Sequence, residues 1–243
     1  MNTFVQEIRQ TIVPDRGSKD GPLPPMLVAM TLVTGLVDAF SYLVLGHVFV
    51  ANMTGNVVFL GFALAGAPGF SIGASVVALA AFWFGALAGG RVGSTYGAHR
   101  GRLLNTAVAI QAVLLAASVI LAALSASPVS AGCRYALITV LGMAMGVQNA
   151  ASRGLAVADL TTTVLTLTIT GIAADSAIAG GKGSRAGRRL IAVVAMLVGA
   201  LVGAALVLHV RIVYPLAIAL VVLVIIGVVS RGLGKSDPAW VRN

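Results

Sequence analysis

Residues 35–61, GLVDAFSYLVLGHVFVANMTGNVVFLG, decide how the rest of the chain is read. Asp38 stands inside an apolar run that would otherwise make an ordinary spanning helix. The next apolar segment opens on Asn52-Met53-Thr54-Gly55-Asn56. A carboxylate at the centre of a bilayer costs about 2.5–3.5 kcal/mol on insertion scales, so it needs a partner, a proton or a water-lined cavity. As a helix, Asn52–Gly66 reaches only about 22 Å, short of the ~30 Å hydrocarbon core. Together these features describe a helix that starts inside a membrane instead of crossing it.

The rest of the 243-residue chain follows the same plan, with 58% hydrophobic and 9% charged residues and a mean hydropathy of +1.00. Soluble domains carry about 25% charged residues. A cytosolic or secreted globular protein is therefore excluded, and so is a disordered one. Asp38 is the one charged residue between Met26 and Gly90, and none lies between Leu103 and Cys133. Spanning helices are expected over Met26–Gly46, Ser71–Gly90, Leu103–Leu124, Tyr135–Ala151, Leu190–Val210 and Ile212–Ser230. A second odd segment is Asp159–Ile178, where six of the ten residues from Thr161 to Thr170 are threonine.

The net charge of +9 sits in loops and ends. Arg91–Arg102, Lys182–Arg189 and the tail from Arg231 carry the excess, which places all three on the cytoplasmic face by the positive-inside rule. The same rule accounts for the basicity without nucleic acid as a partner. Arg102 and Lys182 are then separated by an even number of crossings, yet three apolar segments lie between them. The Thr-rich one is expected to be broken or re-entrant, with a tilted crossing as the alternative. The expected fold is an all-α polytopic transmembrane bundle of six full spans plus two short broken or re-entrant segments. It belongs in a bacterial inner membrane, with both termini cytoplasmic. Residues 1–25 form a polar segment in which Phe4, Ile8 and Ile12 recur at helical spacing, the mark of a short interfacial helix over Met1–Val13. Residues 26–230 form one transmembrane domain, and 231–243 a basic tail.

The two halves, 26–124 and 135–230, resemble each other. Gly35-Leu-Val-Asp38-Ala39-Phe-Ser41 matches Gly146-Val-Gln-Asn149-Ala150-Ala-Ser152. Val50-Ala51-Asn52-Met-Thr54 matches Val157-Ala158-Asp159-Leu-Thr161. The ladder Ala81, Gly85, Gly89 matches Ala195, Gly199, Gly203 and reads as helix-packing faces. Each repeat holds three crossings, an odd number, so the repeats are expected to be inverted. Inverted repeats with broken helices meeting near the midplane are a transporter architecture.

Residues Gly35–Gly61, and the second-half block Gly146–Asp175 with Gln148, Asn149, Ala150, Thr162, Thr163 and Thr166, resemble the YoaK family of bacterial multi-pass membrane proteins. Where that family usually shows Thr-Gly-Thr, this chain has Thr166-Leu167-Thr168. The resemblance covers roughly residues 26 to 230 and implies six spans. It implies no activity, since the family is one of unknown function.

The residues that carry chemistry follow from these patterns. Asp38 reads as a proton or cation site, or else as a structural hydrogen-bond partner for Asn149, Gln148 or a threonine of the second broken segment. Asn52, Thr54, Gly55 and Asn56 open a helix inside the membrane, where unpaired N–H groups and a positive dipole end are capped or bind a polar group. Ser41, Gln148, Asn149, Asp159, Thr162, Thr163 and Thr166 complete the candidate set. Thr hydroxyls also bond back to their own helix, which needs no ligand. Hydrolase, metalloprotease and phosphate-loop signatures are missing from the sequence. The single Cys133 and the scattered His47, His99 and His209 form no metal motif, and no cofactor is expected. The favoured function is a permease for a small polar or charged solute, in one form proton-coupled. The lipid bilayer is its partner, and a homo-oligomer is compatible with the sequence. The alternative is a non-transporting scaffold or assembly protein, with an intramembrane enzyme in third place.

Overall fold

A computed structural model describes residues 3–15, 17–125, 128–163, 165–181, 183–233 and 239–241. Every regular element among them is helical: α1 (Thr3–Ile12), α2 (Leu23–Val44), α3 (Met53–Leu64), α4 (Ile72–Tyr96), α5 (Arg100–Leu124), α6 (Ala131–Leu155), α7 (Leu165–Ala174), α8 (Ala186–His209) and α9 (Tyr214–Leu233), with 3₁₀ turns at Ala177–Ala179 and Ala239–Val241. Lys182 and most of the basic tail, 234–238 and 242–243, lie outside the described residues.

Local chemistry sets the helix boundaries. Pro24 and Pro25 occupy the first turn of α2, where a missing N–H costs nothing. Ser71 Oγ accepts the Ala74 N–H at 3.2 Å to cap α4, and His99 Nδ1 accepts the Arg102 N–H at 3.2 Å to cap α5. The left-handed Gly46 (φ 88°) and His47 (φ 55°) end α2, and Ala156 (φ 51°) ends α6.

Among the described residues five helices, α2, α4, α5, α8 and α9, are long and apolar enough to cross a membrane. The sixth expected span, Tyr135–Ala151, is extended at both ends to become α6, 25 residues long and carrying Arg134, Gln148, Asn149 and Arg153. The two odd segments become the short apolar helices α3 and α7.

Two helix pairs form the frame, α2 with α8 and α4 with α6. Both are held by glycines at the points of closest approach. A Cβ on Gly35 would stand 2.4 Å from Met196 O, and one on Gly199 2.2 Å from Leu32 O. In the other pair a Cβ on Gly85 would stand 2.1 Å from Met143 O, and one on Gly146 2.2 Å from Phe82 O. Gly89 and Gly203 meet Val147 and Leu36 one turn further on. In each pair the contacts advance together along both helices, so the partners run parallel.

One end of the bundle is basic. There Arg100 Nη2 donates to Leu155 O at 2.8 Å and to Asp20 Oδ1 at 3.1 Å, while Arg188 Nη1 reaches Asp20 Oδ2 at 3.3 Å. The starts of α2, α5 and α8 therefore meet the end of α6. At the opposite end Gly73 packs on Tyr135, Gly46 faces Arg134, and Cys133 Sγ reaches Leu121 O at 3.7 Å. The chain between α2 and α4 thus leaves and returns at this second end, and the chain between α6 and α8 at the basic end. The amphipathic α1 lies across the basic end, where Glu7 Oε2 accepts the Gly187 N–H at 2.9 Å.

Candidate functional site

Asp38 lies within α2, at 8% exposure. After α2 the chain turns at Gly46 and His47 and runs back into the bundle. There the Val50 and Ala51 N–H groups donate to Asp38 Oδ1 at 3.0 and 2.9 Å. Asn56 fixes the same stretch from the other side, its Oδ1 accepting the Phe49 N–H at 2.9 Å and its Nδ2 donating to Phe49 O at 2.6 Å. Non-helical backbone at membrane depth survives only where protein or water satisfies its polar groups. Asp38 and Asn56 do this for residues 49–51, and α3 can then start at the level of Asp38. Asn52 caps it, its Oδ1 accepting the Gly55 N–H at 3.4 Å.

The second half turns inward in a similar way. Asn149 Nδ2 donates to Thr163 Oγ1 at 2.6 Å, and the Ser152 and Thr162 hydroxyls share a 3.2 Å hydrogen bond. Asp159 (φ 66°) and Thr162 (φ 58°) take left-handed turns before α7 begins at Leu165.

Where these two inward-turning segments meet lies a cavity of about 900 Å³. Asp38, Asn52, Thr54, Gly55, Asn149, Thr163 and Thr166 line it, with Gly35, Tyr42, Phe49, Phe59, Phe82 and Met196. The other candidates stand elsewhere. Asn56 is fully buried behind the lining, and the Ser41 hydroxyl donates to Asp38 O at 3.2 Å. Gln148 joins a separate buried network, accepting from Gln111 and donating to Thr34 Oγ1 at 2.8 Å and Met30 O at 3.3 Å. Thr162 is turned to Ser152. Asp159 is away from the cavity, ion-paired with Arg189 at 2.8 Å and Arg185 at 3.3 Å, while Arg189 also holds Asp175 at 2.7 Å. Neither Gln148 nor Asn149 reaches Asp38; its partners are backbone N–H groups of its own half.

Sequence reasoning missed the aromatic part of the lining. Tyr42 stacks on Phe49 with ring centroids 5.0 Å apart, and Phe49 on Phe59 at 5.6 Å. A signal existed for Tyr42, which sits one helical turn beyond Asp38 and so shares its face. Among the described residues no three His, Cys, Asp or Glu stand together as metal ligands.

Long apolar helices, with two short ones packed on α4 and α8 and beginning beside a shared cavity, define a multi-pass membrane protein. Residues 26–229 match the family model described as "Protein of unknown function (DUF1275)", and the chain belongs to that family. It is 34% identical over 152 residues to the UPF0700 transmembrane protein YoaK of Bacillus subtilis (strain 168), a match covering 62% of this chain and 65% of that relative. The matched stretch thus falls just short of two thirds of the length of the curated relative. No solved structure matches the chain.

Proposed function

We propose that this chain is an inner-membrane permease for a small polar or charged solute, not an enzyme. In this reading it has six crossings and two re-entrant segments arranged as two inverted repeats. The observation that carries the proposal is the cavity at the meeting of the broken segments, to which both halves contribute polar groups. Its volume of about 900 Å³ suits a small molecule, since such sites run to roughly 300–1,000 Å³. Discontinuous helices around a midplane site are how many secondary transporters bind their solutes.

The packing supports the inverted repeat. Exchanging α2, α3, α4 and α5 with α6, α7, α8 and α9 turns the α2–α8 contact into α6–α4, α5–α6 into α9–α2, and α3–α4 into α7–α8. The exchange carries Asp38 to Asn149, Gly35 to Gly146 and Gly85 to Gly199. The two broken segments come in from opposite ends, as inversion requires. Arg100, Arg188 and Arg189 gather at one end, which the positive-inside rule makes cytoplasmic. Both termini then face the cytoplasm.

Asp38 favours a second reading. Its Oδ1 is already held by two backbone N–H groups, as in a scaffold whose polar residues are structural. Thiol labelling separates the two. In a Cys133→Ser background, Thr54→Cys and Thr166→Cys are treated with a membrane-impermeant maleimide in sealed vesicles. A shared, alternating site predicts that both cysteines react from the outer face and that each also reacts from the cytoplasmic face. A scaffold predicts reaction from neither face, or of each cysteine only from the end at which its own segment comes in.

A further inference from the structure

We infer that the cavity takes a small organic cation, its ammonium group held between the Asp38 carboxylate and the rings of Tyr42, Phe49 and Phe59. This rests on the reading of the cavity as a solute site and names the class of solute.

Among the described residues that line the cavity, Asp38 is the one ionisable acid, and none is Lys, Arg or His. An anion would meet that carboxylate with no cation to answer it. A helix start favours anions through its free N–H groups, but here the Asp38 carboxylate stands beside it, and the N–H groups leading into it, together with that of Gly55, are taken by the chain itself. Val50 and Ala51 donate to Asp38, Phe49 to Asn56 Oδ1, and Gly55 to Asn52 Oδ1. In the other half the Asn149 amide donates to Thr163 Oγ1. Beside neutral hydroxyls and the Asn52 amide, the wall offers a carboxylate with about four lone-pair sites, two of them met by Val50 and Ala51, and an aromatic stack. No Lys or Arg of the described residues lies over the stack, and the His47 ring meets Tyr42 at a steep angle, with centroids 5.0 Å apart. The one cation–π contact among the described residues is Arg134 over Tyr135, at 5.7 Å and at the end of the bundle remote from the cationic network. A desolvated ammonium over aromatic faces, near a carboxylate, is the arrangement by which such cations are recognised.

The test uses the purified full-length protein in detergent and reads the ligand-induced rise in Tm. The probes are choline, its neutral carbon isostere 3,3-dimethyl-1-butanol, and benzoate. A cation site predicts that choline acts at a concentration about tenfold or more below the isostere, with no rise from benzoate. Asp38→Asn keeps an acceptor for Val50 and Ala51 but removes the charge, so it should erase the preference for choline. Phe59→Leu, which leaves the carboxylate untouched, should weaken choline and spare the isostere. Equal effects of choline and its isostere, unchanged in both variants, would overturn the cation assignment while leaving a polar-solute permease standing. A response to benzoate alone would do the same. If no probe raises Tm, the cation assignment falls, and the maleimide experiment decides the permease reading on its own.

Discussion

Asp38 holds the break between α2 and α3. Two N–H groups that a regular helix would have satisfied internally are satisfied by a carboxylate from the preceding helix. This gives substitutions at position 38 an order. Asp38→Asn retains the Oδ1 acceptor, and the matched position of the other half is already Asn149, so the variant should fold with a Tm close to that of the parent. Asp38→Leu strands both N–H groups at about 1–3 kcal/mol each and should lower Tm markedly in a detergent melt. Equal melting of Asn and Leu variants would show that the carboxylate does not hold the loop. The sequence marked Asp38 as costly, but its partner was not legible there. A backbone N–H leaves no trace in residue identity, and side-chain candidates such as Gln148 and Asn149 drew the reading instead.

Among elements, glycine decides which helix faces close. Gly85 and Gly90 both lie on α4, yet a Cβ on Gly85 would come 2.1 Å from Met143 O, while nothing stands within 4 Å of one on Gly90. Gly85→Ala should therefore push α4 from α6 and lower Tm. Gly90→Ala should leave it level or raise it, since Ala is worth up to about 1 kcal/mol over Gly inside a helix. Matching losses in the two variants would remove close packing as the reason for the ladder. The long helices were legible because hydropathy and length define them; α6 was expected too, over Tyr135–Ala151, but its polar residues hid its full length. The register of the second broken segment was not legible. The sequence aligns Asp159 with Asn52, but α7 starts only at Leu165, after turns at Asp159 and Thr162. Asp159 is thereby left to Arg185 and Arg189, and Thr163 takes the place beside the cavity.

For the whole molecule, the two ends differ in kind. Arg100, at 4% exposure, binds carbonyls of Lys19, Leu155 and Trp240 as well as Asp20, so one side chain ties the starts of α2 and α5 to the end of α6 and to the 3₁₀ turn at Ala239–Val241. Arg188 and Arg189 add the start of α8 to that end. The proposed re-entrant pair requires α3 and α7 to return to the ends from which they come in, and accessibility of the flanking loops reads this directly. In the Cys133→Ser background, His99→Cys, Ser184→Cys and Ala67→Cys are labelled with an impermeant thiol reagent in oriented vesicles. Six crossings predict that positions 99 and 184 react from the cytoplasmic face and position 67 from the outer face. Reaction of positions 99 and 184 from opposite faces would mean that the segment holding α7 crosses the membrane, and would contradict the re-entrant pair and the cavity between them.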